Sequence, residues 1–166
     1  MQNREQIFNE IVKDNREGIY RICLAWLYNK SFADDLYQEI MLQIWKSIER
    51  YRGDAKLSTW VYRIAVNTAI TYNHESRKST HSTLPETFNI ADDTIGIAYE
   101  KEQKLTALQK AISQLEEQDR LIISLVLEDL SYKEIAEITG TNVNNTGVRI
   151  ARIKTRLMKL MENLNA

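Results

Sequence analysis

Apolar residues recur three and four positions apart along nearly the whole chain, and nowhere does the strict alternation of a half-buried strand persist. At about 100° per residue, that spacing gathers apolar side chains into one stripe of an α-helix. Little interrupts it, since the 166 residues include only five glycines and one proline, Pro85. With 43% hydrophobic residues the chain can build a core, and its length allows one medium domain or two small ones. The fold class expected is all-α.

No basic residue occurs between Lys78 and Lys101, and the segment STHSTLPETFNIADDTIGIAYE carries Glu86, Asp92, Asp93 and Glu100 among Ser, Thr and the proline. This is the composition of a flexible acidic linker, placed at 79–99, between an N-terminal helical domain at 1–78 and a C-terminal one at 100–166. In the first, helices are expected near 2–14, 16–29, 32–48 and 58–76, with Ser31 and Ser58 as N-caps and ERYRGDAKL as the loop before the last helix. In the second they are expected near 98–114, 117–128, 132–138 and 144–162. No internal repeat is evident.

Several function classes drop out early. A net charge of -1 argues against coating nucleic acid by charge alone, so any DNA binding must use local patches or a helper. The single cysteine, Cys23, excludes an internal disulfide and sits between Ile22 and Leu24, as a packing residue would. The opening MQNREQIFNEI has neither the basic start nor the apolar run of a signal peptide, and no apolar stretch reaches membrane-spanning length. A cytoplasmic, soluble protein without membrane insertion is expected. His74 and His81, seven apart beside Glu75, lack an HExxH motif or a cysteine cluster, and no nucleophile, base and orienter can be nominated. No catalytic residue, metal or cofactor is expected.

The stretch SYKEIAEITGTNVNNTGVRI, 131–150, reads as a helix-turn-helix. Ser131 and Glu134 form a capping box, and Gly140 supplies a turn just past Ile135, Ala136 and Ile138. The second helix opens without charge on Asn144, Asn145, Thr146 and Gly147. Around its axis Ile150, Ile153, Leu157, Leu160 and Met161 fall in one arc, with Thr146 pointing the same way. Arg149, Arg152, Arg156 and Lys159 fall in a neighbouring arc bordered by Asn145 and Val148. A basic stripe on an amphipathic helix is usually only solvated, but four cations behind a capping box and a Gly turn are what a recognition helix requires. Asn amides read adenine in the major groove. Gly147 lies away from both arcs, with no contact to offset its cost of about 1 kcal/mol relative to Ala.

In the N-terminal domain FADDLYQEIMLQIWKSI puts Tyr37, Ile40, Met41, Ile44, Trp45 and Ile48 on one side and Asp35, Glu39, Leu42, Gln43 and Lys46 on the other. A charged face is normally just solvated, yet a leucine among acids also suits docking to a basic protein partner. The next helix, STWVYRIAVNTAITYNHESRK, carries Trp60, Val61, Ile64, Ala65, Thr68 and Tyr72 around its core side and Arg63, Asn67 and His74 on another strip. The preceding loop adds Tyr51, Arg52 and Lys56. Cations, amides and aromatics of this kind can hold an unstacked base, although a tryptophan such as Trp60 is more often core than platform.

Taken in order, ADDLYQEIMLQIW, YRGDAKLSTWVYRIAVN and LEEQDRLIISLVLEDLSYKEIAEITG followed by the basic helix resemble the extracytoplasmic-function group of sigma-70-type bacterial RNA polymerase sigma factors. The resemblance covers nearly the whole chain. It implies that the helix bearing Asp35, Gln38 and Glu39 docks on core polymerase, that the Tyr51 to Asn67 region melts and captures the promoter -10 element, and that the helix starting near Asn144 reads the -35 element. It also implies an anti-sigma partner and no catalytic residues. The chain departs from the family at Val66, where Arg is frequent, at Thr71, where an acid is, and in a basic cluster reduced to Arg77 and Lys78. Thr146 takes the place of the family's buried Val and Gly147 that of a frequent Lys. An alternative is a helix-turn-helix regulator that binds DNA as a dimer, independently of polymerase; a small helical enzyme or adaptor is a further one.

Overall fold

The computed structural model describes residues 3–27, 30–76 and 98–165. All regular structure among these residues is helical: α1 (Arg4–Leu27), α2 (Lys30–Ser47) continued by a 3-10 turn at Ile48–Arg50, α3 (Leu57–Ser76), α4 (Ala98–Ser113), α5 (Glu117–Leu127), α6 (Tyr132–Thr139) and α7 (Val143–Asn165). Arg77, Lys78, His81 and nearly all of the expected linker lie outside the described residues, and so does the side chain of His74.

Three helices form the N-terminal unit because each carries an apolar stripe at helical spacing. Ile11, Ile19 and Ile22 of α1 meet Leu36, Ile40 and Ile44 of α2 and Val61, Ala65 and Val66 of α3, all essentially excluded from water. Burying each such Ile or Leu contributes about 1.5–3 kcal/mol, so this triangle of helices dominates the stability of the unit. Val66 lies inside it, which accounts for an apolar residue where Arg is frequent in the resembling family. Cys23 is fully buried there, and that burial pushes its thiol up to about 12, so it stays neutral and packs.

The sequence predicts a break near residue 15, and there is none. Asn15 is buried and donates from Nδ2 to the Ile11 carbonyl one turn back, at 3.1 Å, which satisfies it inside a single unbroken α1. Neither Ser31 nor Ser58 is an N-cap. Ser31 lies within α2, and α3 begins at Leu57, with the Lys56 carbonyl accepting the Trp60 N–H at 3.0 Å.

In the C-terminal unit α6 begins as its sequence predicts. Ser131 Oγ accepts from the Glu134 N–H at 3.1 Å, Glu134 Oε2 accepts from the Ser131 N–H at 2.8 Å, and Gly140 ends the helix in the left-handed region at φ 75°. The Ser131 backbone hydrogen bond holds the Glu134 carboxyl below its ordinary range. Ile135 and Ile138 of α6 share a core with Leu121 and Leu125 of α5 and with Ile150, Ile153 and Leu157 of α7.

The two units pack together, α5 against α1 and α6 against α3. Gly18 marks the closest point. A Cβ there would overlap Tyr62 Oη of α3 and approach Glu128 Oε2, at the end of α5, to 2.9 Å. Glu128 in turn receives Arg21 of α1, whose Nη2 lies 2.9 Å from Oε2. Burial, reinforced by the Glu128 charge, pushes the Tyr62 phenol up to about 12. Glycine in mid-helix otherwise costs about 1 kcal/mol relative to Ala, but here the overlap is with a buried ring that has little room to retreat. Gly18→Ala is therefore expected to lower stability by about 1–3 kcal/mol despite its better helix propensity, measured by denaturant unfolding; a gain in stability would refute this account of the contact.

Candidate nucleic-acid and protein interfaces

α7 starts where Asn142 caps it, the side-chain oxygen accepting from the Asn145 N–H at 2.8 Å. Thr146 is buried and donates its hydroxyl to the Asn142 carbonyl at 2.9 Å, so it packs and contacts no solvent-side partner. With Ile150, Ile153 and Leu157 facing inward, Asn144, Asn145, Val148, Arg152, Arg156 and Lys159 are left exposed. Arg152, Arg156 and Lys159 make no hydrogen bond or ion pair within the described residues. Together with Asn145, Val148, Arg149, Glu116 and Asp119 the two arginines border a groove of about 640 Å³ between α7 and the start of α5.

Arg149 differs from its neighbours. Its Nε and Nη2 donate to Asp119 Oδ1 at 3.0 and 2.9 Å, and Nη2 also donates to Gln118 Oε1 at 3.2 Å. Neither partner can be anticipated from the sequence of α7, because the contact spans thirty residues of chain and two helices.

Gly147 has a neighbour that helical periodicity does not reveal. The Tyr132 ring of α6 lies 3.6 Å from where a Cβ would stand, an ordinary van der Waals distance. The expectation that Gly147 faces nothing is thus corrected, and an alanine would find both room and a contact. Gly147→Ala is expected to stabilise the chain by up to about 1 kcal/mol in thermal or denaturant unfolding; destabilisation would show that Tyr132 cannot accept the methyl group.

In the N-terminal unit, the loop before α3 and the helix itself bring Tyr51, Lys56, Trp60, Arg63 and Asn67 to one side. The Tyr51 and Trp60 rings meet at a tilt of 50° with centroids 5.2 Å apart, and the Tyr51 hydroxyl donates to the Ala55 carbonyl at 2.7 Å. Trp60 is partly buried against the core, whereas Arg52 and Asn67 are exposed. The two cations of this strip reach the other unit: Lys56 Nζ lies 3.3 Å from Glu134 Oε1, and Arg63 Nε and Nη2 donate to the Glu137 carbonyl at 3.2 and 2.8 Å.

α2 turns Asp35, Gln38, Leu42 and Lys46 outward, with Leu42 44% exposed. Glu39 and Gln43 are set lower, paired by a 2.9 Å hydrogen bond, and line a cleft of about 520 Å³ with Asn67, Thr68, Thr71 and Tyr72 of α3. Thus α2 and α3 present a continuous polar surface. Among the described residues no three His, Cys, Asp or Glu side chains are grouped to hold a metal, and no helix is long and apolar enough to cross a membrane.

Comparison with known proteins accounts for both units. Residues 11–78 match the Sigma-70 region 2 family and residues 105–157 the Sigma-70, region 4 family. The chain is 30% identical to the RNA polymerase sigma factor SigV of Bacillus subtilis (strain 168), over 90% of its own length and 87% of that protein. It is 28% identical to the ECF RNA polymerase sigma factor SigW of the same strain, over 96% and 91%. In fold it is similar to the sigma factor RpoE of Bartonella quintana, crystallised with the anti-sigma factor NepR, with a TM-score of 0.77 and 18% identity over 93% of this chain and 96% of that one. CnrH, in complex with the cytosolic domain of CnrY, gives a TM-score of 0.68 at 18% identity over 97% and 90%. Two domain matches in family order, together with a full-length relative, establish that the chain belongs to the extracytoplasmic-function group of sigma-70 RNA polymerase sigma factors, directs promoter recognition, and is not an enzyme.

Proposed function

We propose a division of this activity among three surfaces: α7 reads the -35 element as duplex DNA, the strip from Tyr51 to Asn67 holds the melted -10 strand, and the outer face of α2 docks on core polymerase. What carries the proposal is the row Arg152, Arg156 and Lys159, exposed and without partners among the described residues, on the helix that follows the capped turn. Cations left free in this way are available to phosphates, and those nearer the helix start to base edges. On the second surface Tyr51, Trp60 and Asn67 supply aromatic and amide groups, with Arg52, Lys56 and Arg63 as its cations and His74 as a further polar group. Lys56 and Arg63 are engaged by α6, so α6 must release them before they can serve DNA. On α2, Asp35, Gln38, Glu39, Leu42, Gln43 and Lys46 form a mixed acidic and apolar patch suited to a basic protein surface.

Because the sigma factor RpoE of Bartonella quintana, which shares this fold, is bound to an anti-sigma factor, this chain is proposed to have such a partner as well. Transcription in vitro with core polymerase tests the division. Arg152→Ala is expected to lower initiation about tenfold, the equivalent of about 1.4 kcal/mol, at promoters that use a -35 element and hardly at all where none is present. Asn67→Ala is expected to act on both promoter types. Equal losses on every template for both variants would break the division.

A further inference from the structure

The groove between α5 and α7 sorts the arginines of the recognition helix into two kinds. Arg152 and Arg156 have no partner among the described residues, whereas Arg149 is held from α5 by Asp119 and Gln118. A guanidinium has two forks of parallel donors, Nε with Nη2 and Nη1 with Nη2. Both forks use Nη2, and both Nη2 hydrogens are occupied, one by Asp119 and one by Gln118. Arginine reads guanine by setting such a fork on O6 and N7. Arg149 is left with Nη1 alone, which suits a phosphate or a single acceptor. The Asp119 side chain is mostly buried, 19% exposed, so the pair is shielded better than a surface ion pair.

The groups beside it are uncharged. Asn145 is exposed, with its backbone N–H bonded to Asn142 and its side-chain amide without a partner among the described residues. Val148 is 54% exposed and lies three residues further on, hence on the same face of the helix. Asn pairs with the N6 and N7 edge of adenine, and an apolar side chain meets the thymine methyl.

We propose that Asp119, assisted by Gln118, is a positioning residue that withholds Arg149 from guanine, so that Asn145 and Val148 set the base preference of the -35 element and set it toward A·T pairs. This rests on α7 being the -35 reader. The test is transcription by the full chain with core polymerase from a promoter library randomised across the -35 element, scored as base frequencies among initiated templates, which do not depend on yield or on the stability of a variant. Wild type is expected to enrich A·T pairs at neighbouring positions. Asn145→Ala should flatten one of these by roughly 5- to 150-fold, and Val148→Ala should weaken the other by less. Asp119→Ala should introduce a guanine preference beside them, as should the milder Gln118→Ala, which frees one Nη2 hydrogen while the Asp119 pair remains. A wild-type guanine preference that disappears in Arg149→Ala overturns the proposal, as does a profile unchanged in both Asp119→Ala and Gln118→Ala. A flat wild-type profile overturns the -35 assignment itself, and the proposal with it.

Discussion

Arg120 joins the two halves of the molecule at the C-terminal end of α1. From the first turn of α5, Nε and Nη2 donate to the Ala25 and Trp26 carbonyls at 2.7 and 3.1 Å, while Nη1 donates to the Leu115 carbonyl of its own unit at 2.7 Å. The last carbonyls of a helix have no partner within it, and a cation there also offsets the negative end of the helix dipole. One guanidinium therefore finishes α1 and fixes where α5 begins. With α5 laid along α1, its far end reaches Gly18, Arg21 and Tyr62, and α6 is carried across α3.

That placement explains how a chain with a net charge of -1 can address DNA. Its acids are drawn to particular cations: Glu128 to Arg21, Asp119 to Arg149, Glu134 to Lys56 and Glu49 to Arg4. What α7 leaves unpaired among the described residues is a short cationic row on one face, so attraction to phosphate there is local. Phosphate contacts supply most non-specific affinity, and on the proposal that this row is the part of α7 that meets phosphates, its shortness would leave promoter choice to the polymerase and to base reading.

Much of this was legible from periodicity. The capping box at Ser131, the turn at Gly140, the inward-facing Thr146 and the separate apolar and basic arcs of α7 all follow from residue spacing, and the structure has them. Features set by tertiary contact were not legible. The helices expected at 2–14 and 16–29 are one, because Asn15 is satisfied by a carbonyl one turn back, and Gly18, inside the second of them, has its place set by Tyr62. The Tyr132 ring that a Cβ at position 147 would touch, and the partners of Arg63 and Arg149, lie on other helices, where no spacing rule points to them. The helical wheel grouped Arg149 with Arg152 because it sees angle alone; α5 separates them by supplying a carboxylate to one and not to the other.

The polar contacts along the two seams between the units differ in kind. Along α1 and α5, buried apolar side chains, Arg120 on three carbonyls and the cluster around Glu128 act together. Between α3 and α6 the polar contacts are an ion pair whose lysine is 78% exposed and a guanidinium resting on the neutral Glu137 carbonyl. Exposed ion pairs are worth about 0–1 kcal/mol, and a hydrogen bond in which either partner is ionised is roughly twice as strong as one between neutral groups. Lys56 already faces a carboxylate, whereas Arg63 would meet a full opposite charge only by exchanging the Glu137 carbonyl for a phosphate. Contacts of this kind hold α6 in register against α3 and, on the proposal that the strip from Tyr51 to Asn67 binds the -10 strand, are the ones a nucleic-acid backbone would replace.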